Sequence, residues 1–226
     1  MLRRVIKVVK DFLFPIFCVD CGREGVVLCK QCKRRIKVRP FVFHPSVRAL
    51  DLGVLVFFPY IPNSVVGRLI SFWKYHFVEE VSEEWRYFFN QERLFLFRYL
   101  SNFKQTQPIY LVPVPLHPRR ERERGFNQAR VLANTLGECL VGRGFKVQIL
   151  DCIRRVRYTS QQAKLNNVIR EKNLQGAFVW EEKNIVPEQV ILVDDVLTTG
   201  FTAQECAQVL RSAGVKKIGM IVLAHG

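Results

Sequence analysis

Residues 190–200 read Val-Ile-Leu-Val-Asp-Asp-Val-Leu-Thr-Thr-Gly, a run in which acids, hydroxyls and free backbone donors follow one another within a few residues. The aliphatic stretch Val190 to Val193 predicts a buried parallel strand. Asp194 and Asp195 stand at its C-terminal end, and a small hydroxyl-rich turn leads into a helix near Phe201. Backbone N–H groups of Val196, Leu197, Thr198, Thr199 and Gly200 at a helix N-terminus would make a phosphate cradle. The hydroxyls of Thr198, Thr199 and Thr202 can donate to the same anion. In front of the cradle, paired carboxylates suit the hydroxyls of a ribose. A Walker loop is excluded because no Gly-Lys-Ser/Thr ending follows, and a dinucleotide fingerprint because three spaced glycines do not precede the acids. An isolated Asp-Asp pair would be no more than solvated acids at a strand end; the ordered strand, acids, turn and helix favour the phosphate site.

Cys18-x2-Cys21-x7-Cys29-x2-Cys32 is a second constellation. Each Cys-x2-Cys pair can form a knuckle, and Gly22 and Gly25 allow the tight turns, so the spacing points to a compact ribbon around tetrahedral Zn²⁺ rather than to redox disulfides. Four thiolates leave no open coordination position, which makes the zinc structural. The remaining cysteines, Cys139, Cys152 and Cys206, lie in apolar surroundings and read as small core residues, a cytosolic pattern. Directly after the ribbon, Lys33 to Arg39 forms a basic run that is either a polyanion contact or a solvated face. Pro40 and Pro45 mark a linker.

The third candidate site follows the apolar strand Ile109 to Leu116. Arg119, Arg120, Arg122 and Arg124 crowd the charged loop His117 to Ala129, ahead of a helix over Arg130 to Leu140. At the C-terminal edge of a strand in the same sheet as the cradle, these arginines become diphosphate ligands. The elements that must position the three sites are also legible. Leu52 to Tyr60 predicts a strand or hairpin arm, and Asn63-Ser64 caps a helix with Val65, Val66, Leu69, Ile70 and Trp73 on its apolar side. Residues 79–103 predict continuous helix, Phe145 to Leu150 a strand, Thr202 to Ser212 a helix closed by Gly214, and Lys217 to Leu223 a last buried strand. The basic, hydroxyl-rich segment from Arg154 to Gln162 and beyond has few apolar anchors. It is expected to be a lid over a bound phosphate, with a plain surface helix at Gln161 to Lys172 as the alternative.

The chain has 226 residues, of which 49% are hydrophobic, enough for one α/β domain and a small appendage. Its formal charge of +15 attracts polyanions, with nucleic acid, anionic headgroups and phosphorylated small molecules all compatible. No run of about 20 apolar residues offers a membrane span. Lys7, Lys10 and Asp11 interrupt any signal-peptide core, so residues 2–13 are expected to form an amphipathic helix stopped by Pro15. Packing on the rest of the protein is its expected role, with weak membrane-surface contact as the alternative.

The order of parts in residues 190–200 resembles the ligand motif of type I phosphoribosyltransferases, which bind phosphoribosyl diphosphate (PRPP). The whole chain is similar to the ComF family of competence proteins: a four-cysteine ribbon, then Pro113-Val114-Pro115-Leu116-His117 and Arg124-Gly125-Phe126-Asn127-Gln128-Ala129. Thr159, Gln162, Leu165, Arg170, Asn173 and Gly176-Ala177-Phe178 continue the pattern, and Asp194-Asp195-Val196-x-Thr198-Thr199-Gly200 completes it. The resemblance implies a zinc ribbon in residues 1–48 and a phosphoribosyltransferase-like domain in residues 49–226, a parallel sheet with helices on both faces. It also implies that Asp194 and Asp195 take the ribose 2′- and 3′-hydroxyls, that residues 196–200 take the 5′-phosphate, and that Lys74 joins the anion site. The family's role is DNA uptake in natural transformation, handling single-stranded DNA at the inner face of the cytoplasmic membrane.

Two classes of function stay open. As an enzyme, the protein would transfer a phosphoribosyl group from PRPP with Mg²⁺, in nucleotide salvage or modification. Asp194, Asp195, Arg119 and Arg124 would be catalytic there, with Arg120 assisting at the diphosphate. As a binding module, it would hold single-stranded DNA on a fold whose phosphate sites serve the DNA backbone or are modulated by PRPP. No segment looks like a nucleobase hood, which favours the second. The zinc assignment has a direct check: Cys29→Ser should release the metal and raise amide exchange across residues 1–48, whereas a fully protected, metal-free variant would contradict the ribbon.

Overall fold

The computed structural model describes residues 15–44, 50–75, 80–104, 106–158, 175–181 and 185–226. The expected N-terminal helix and the Thr159 to Asn173 part of the family pattern, including the lid segment, lie outside these residues.

Eight strands are described: β1 (Phe41–Phe43), β2 (Val54–Pro59), β3 (Ile109–Pro113), β4 (Val147–Ile149), β5 (Ile153–Arg155), β6 (Phe178–Trp180), β7 (Gln189–Leu197) and β8 (Lys217–His225). The described helices are α1 (Lys30–Arg35), α2 (Val65–Tyr75), α3 (Glu80–Gln91), α4 (Arg93–Leu100), α5 (Pro118–Arg124), α6 (Gln128–Val141) and α7 (Phe201–Ser212). Six strands form one sheet in the order β1-β2-β8-β7-β3-β4, and β5 pairs with β6 antiparallel as a separate ribbon. Every junction from β2 to β4 is parallel; β1 alone runs antiparallel, on the outer edge of β2.

Strand periodicity sorts the core into two layers. Side chains alternate across a strand, so Leu55, Phe57, Leu111, Ile191, Val193, Ile221 and Leu223 share one apolar cluster with α2, α3, α4, α6 and the cysteine ribbon. Their neighbours Val54, Val56, Val112, Val190, Leu192, Met220 and Val222 join a second cluster with α7 and the β5–β6 ribbon. Burial on both faces explains why β7 and β8 are continuous aliphatic runs rather than alternating ones. In α7 the packed residues are Ala203, Cys206, Ala207 and Leu210, small enough to bring the helix close to the strands.

Three local readings change. The stretch expected as one helix breaks at Glu92, where φ −101° and ψ 30° leave the helical region. The polar run Asn90-Gln91-Glu92 has nothing apolar to bury, and the break re-aims α4 so that Tyr99 reaches the sheet. There the Tyr99 hydroxyl lies 3.0 Å from the Gly53 carbonyl and accepts from the Met220 N–H at 2.9 Å. Gly219 makes room for that ring, since a Cβ at this position would sit 2.4 Å from the Tyr99 oxygen. The arginine loop is also helical: α5 starts with Pro118 behind His117, whose Nδ1 accepts from the Arg119 N–H at 3.2 Å, and stops at Gly125 with φ 77°. Finally, Arg154 and Arg155 belong to strand β5, so the expected lid segment begins as sheet.

Candidate functional site

Strand order decides where a ligand can enter. From β3 the chain crosses through α6 to β4 on one side, and from β7 it crosses through α7 to β8 on the other. The neighbours β3 and β7 therefore flank the topological switch point, where open α/β sheets leave a crevice beyond the carboxyl ends of their strands. The last β3–β7 register pair is Pro113 with Val193, and Val114 donates to the Val193 carbonyl at 2.9 Å. β7 continues beside β8 to the pair Leu197 with His225. Asp194 and Asp195 thus lie on the part of β7 that projects past β3, where no strand among the described residues pairs with that edge.

Adjacent strand residues point to opposite faces, and the surroundings of the two acids follow this rule. Asp195 faces the α2 side, where Lys74 Nζ lies 3.0 Å from its Oδ2. Asp194 faces the α7 side and interacts electrostatically with Arg155 on β5 and with Cys206 on α7. Each carboxylate also binds the backbone ahead of it: Asp194 Oδ1 accepts from the Asp195 N–H at 2.8 Å, and Asp195 Oδ1 from the Val196 N–H at 2.7 Å. The Val196 N–H expected in the cradle is engaged by Asp195, and Leu197 is buried. The exposed part of the turn is Thr198 and Thr199, closed by Gly200, whose φ of 79° fits the left-handed turn into α7.

Titration follows from this geometry. Burial, and next the Asp195 charge beside it, push the Asp194 carboxyl up to about 8 against the pull of the Asp195 N–H and of Lys74. Burial by itself would lower the Lys74 ammonium; Asp195, through charge and hydrogen bond, and then Asp194 outweigh it, so the net shift is upward. Arg124 opposes that rise, which places its guanidinium within reach of the same crevice.

The arginines divide into two groups. Arg124 donates to Gln128 Oε1 at 3.1 Å and lies 6.0 Å from the Tyr75 ring centroid. Gln128 is 2% exposed and opens α6, so Arg124 is oriented by a fixed partner. Asn127 secures this corner, accepting from the Ala129 N–H at 3.0 Å and donating to the Val114 carbonyl at 3.1 Å. Arg119 is exposed, pairs with Glu123 at 3.0 Å and lies 4.8 Å from the Tyr158 ring; Arg120 is 6.0 Å from that ring. Asp194, Asp195, Lys74, Arg124 and the 198–200 turn come together, while Arg119 and Arg120 lie a turn earlier on α5 beside Tyr158, with Arg120 in electrostatic reach of Arg155. Arg155 is a component that sequence reading assigned only to a lid: its guanidinium lies over Phe178 at 5.3 Å, and its pKa is lowered by burial and then by Arg120. No local signal marks it in the sequence, because its place comes from β5 pairing with β6.

The ribbon brings all four cysteine sulfurs within 4.8 Å of one another, with Cys21 and Cys29 Sγ 3.7 Å apart. Zinc–sulfur bonds near 2.3 Å in a tetrahedron put sulfurs about 3.8 Å apart, so Cys18, Cys21, Cys29 and Cys32 fit the ion. Gly22 and Gly25, at φ 73° and 87°, make the turns. Arg35 donates to Cys32 Sγ at 3.0 Å and to Asp20 at 2.7 Å, an outer layer of the kind that orients metal ligands. Asp20 also accepts from Arg68 at 2.7 Å, and the Val19 carbonyl accepts from Arg68 Nε at 2.8 Å. Arg68 and Lys74 share α2, about 9 Å of helix rise apart, so one rigid element ties the ribbon to the acid pair. Lys33 pairs with Glu84 to fix the ribbon on α3 as well.

Comparisons with known proteins agree with this construction. Residues 122–226 match the phosphoribosyl transferase domain family, which gives the protein class. Competence protein F of Haemophilus influenzae is 30% identical over 218 residues, spanning 94% of this chain and 85% of that protein. Competence protein ComFC of Bacillus subtilis is 28% identical over 205 residues, 87% of this chain and 72% of that protein. DNA utilization protein YhgH of Salmonella typhi is 40% identical over 114 residues, 49% of this chain and 47% of that protein. The chain belongs to the ComF family of competence proteins. Among the described residues, no helix is long and apolar enough to cross a membrane.

The raised Asp194 pKa has a testable sign. The folded protein keeps a proton that the unfolded chain releases at about pH 4, so this stabilisation is complete below about pH 4 and is lost as pH climbs to about 8. Urea midpoints of the wild type should therefore fall across that interval, and Asp194→Asn, which cannot titrate, should flatten the fall. Superimposable profiles would contradict the assignment.

Proposed function

We propose that this protein acts in DNA uptake during natural transformation, handling incoming single-stranded DNA in the cytoplasm at the inner face of the membrane, with a PRPP-binding crevice as its regulatory or catalytic centre. The observation that carries the reading is the acid pair at the switch point, with the Thr198-Thr199-Gly200 turn on one side and Arg124 on the other. A ribose diol over the open edge of β7 can reach both carboxylates although they serve opposite faces. The 5′-phosphate then falls to the hydroxyl turn at the start of α7, and the diphosphate to Arg124, Arg119 and Arg120. Lys74 offsets the charge of Asp195, which leaves its carboxylate poised to accept a hydroxyl. Mg²⁺ accompanying the diphosphate would neutralise charge on the leaving group. The uptake role rests on the family and on the names of its relatives, together with a formal charge of +15 that suits a polyanionic partner. Peripheral contact with membrane DNA-transport machinery completes the reading.

The same cluster supports a second reading, Mg²⁺-dependent phosphoribosyl transfer in nucleotide salvage or modification. Guanidinium groups facing a ribose-binding acid pair are what stabilises a departing diphosphate as the C1′ bond loosens. Asp194, Asp195, Arg119 and Arg124 would be its catalytic groups, and no protein nucleophile is required.

Calorimetric titration of PRPP with Mg²⁺ separates these ideas. Wild type should bind, Asp194→Asn/Asp195→Asn should not, and a single-stranded oligonucleotide should change the wild-type affinity through coupling of the two ligands. Absence of PRPP binding in folded wild type would remove the crevice assignment.

A further inference from the structure

We propose that Tyr75 and Tyr158 form a base-stacking rim at the mouth of the crevice, where single-stranded DNA lies with bases on the two rings and phosphates on Arg119, Arg120 and Arg124. The inference rests on the DNA-handling reading above and adds the surface that would perform it. Tyr75 is 69% exposed, although Trp73, two residues earlier on the same helix, is 1% exposed. Tyr158 is 39% exposed at the other end of the site. Both rings already have guanidinium partners: Arg124 at 6.0 Å from Tyr75, Arg119 at 4.8 Å and Arg120 at 6.0 Å from Tyr158. His117 meets Tyr158 edge-on at 5.2 Å and holds that ring against the start of α5.

One short helix therefore carries cations from one exposed ring to the other, about 6 to 8 Å of rise between Arg119 or Arg120 and Arg124. An aromatic face beside a guanidinium is the surface on which unpaired bases stack, and because every base has a π-face such a platform tolerates sequence. Among the described residues, the most exposed aliphatic side chains, Leu94, Ile61, Val141 and Ile185, offer apolar area but no π-face. A duplex keeps its bases stacked inside and would present only phosphates to the arginines, so the tyrosines select for the single strand. Arg124, 6.0 Å from the Tyr75 ring, is also in electrostatic reach of Lys74, the partner of Asp195, so a base on this ring would lie beside the ribose and diphosphate positions.

The test is fluorescence anisotropy of a labelled oligothymidylate with the full chain, in a salt series. Tyr75→Ala and Tyr158→Ala should each weaken binding by about 5- to 150-fold, the measured range for losing one base–aromatic stack. Tyr→Phe at either position should retain affinity. The tyrosine variants should keep the wild-type salt slope, whereas Arg119→Ala/Arg120→Ala should make it shallower. An abasic strand should bind wild type and the tyrosine variants alike. Wild-type affinity in both alanine variants would overturn the rim, and so would a loss confined to Phe17→Ala in the ribbon or Phe41→Ala on the edge strand β1. Full competition by free dTMP would assign the rim to a mononucleotide instead. No oligothymidylate binding by wild type at low salt would remove the DNA reading itself, while PRPP titration would still report on the crevice.

Discussion

Two consecutive aspartates on an extended strand point to opposite faces of the sheet, and the structure around β7 is arranged by that constraint. Alternation sends Asp195 toward the α2 layer and Asp194 toward the α7 layer. Each layer supplies a cation: Lys74 at 3.0 Å from Asp195, and Arg155 within electrostatic reach of Asp194. The two carboxyls do not share full charge at neutral pH: burial and the Asp195 charge hold the Asp194 proton up to about pH 8, and Lys74 pairs with the ionised member. The switch between β3 and β7 then opens the strand edge at the height of the acids, so charge compensation comes from the faces and ligand access from the edge.

The ribbon acquires a meaning from the same constraint. Lys74 is useful only if α2 holds it at a fixed distance from β7, and α2 is clamped near its start by Arg68 on Asp20 and on the Val19 carbonyl. Both acceptors lie between Cys18 and Cys21, inside the first knuckle. A metal that orders the four thiolates also orders these oxygens, so a structural ion outside the crevice supports its geometry. Gly67 allows the same helix to approach residues 61 and 62 more closely than any side chain would permit, a Cβ there lying 2.2 Å from the Ile61 carbonyl oxygen.

The aliphatic runs at 54–58, 190–193 and 218–223 were legible as buried strands because burial on both faces removes polar positions. The cysteine spacing and the strand-acid-turn-helix order were legible because each is a local requirement. What escaped depended on tertiary placement or on signals outweighed by composition. Helix α5 announced itself with Pro118 and Gly125, but its four arginines read as a charged, phosphate-binding loop. Strand β5 is short, and its role came from pairing with β6 more than 20 residues later. The break at Glu92 serves the contact of Tyr99 with Gly53 and Met220, a long-range partner that no helix periodicity reports.

The proposed crevice holds a diphosphate-bearing ribose across the β3–β7 switch point. Amide hydrogen exchange of the full chain, with and without PRPP and Mg²⁺, tests this most directly. Protection concentrated in peptides covering 119–124 and 194–201 is the expected result, because these segments supply the arginines, the acids and the hydroxyl turn. Ligand-dependent protection lying elsewhere, or unchanged exchange in both segments at saturating PRPP, would contradict it.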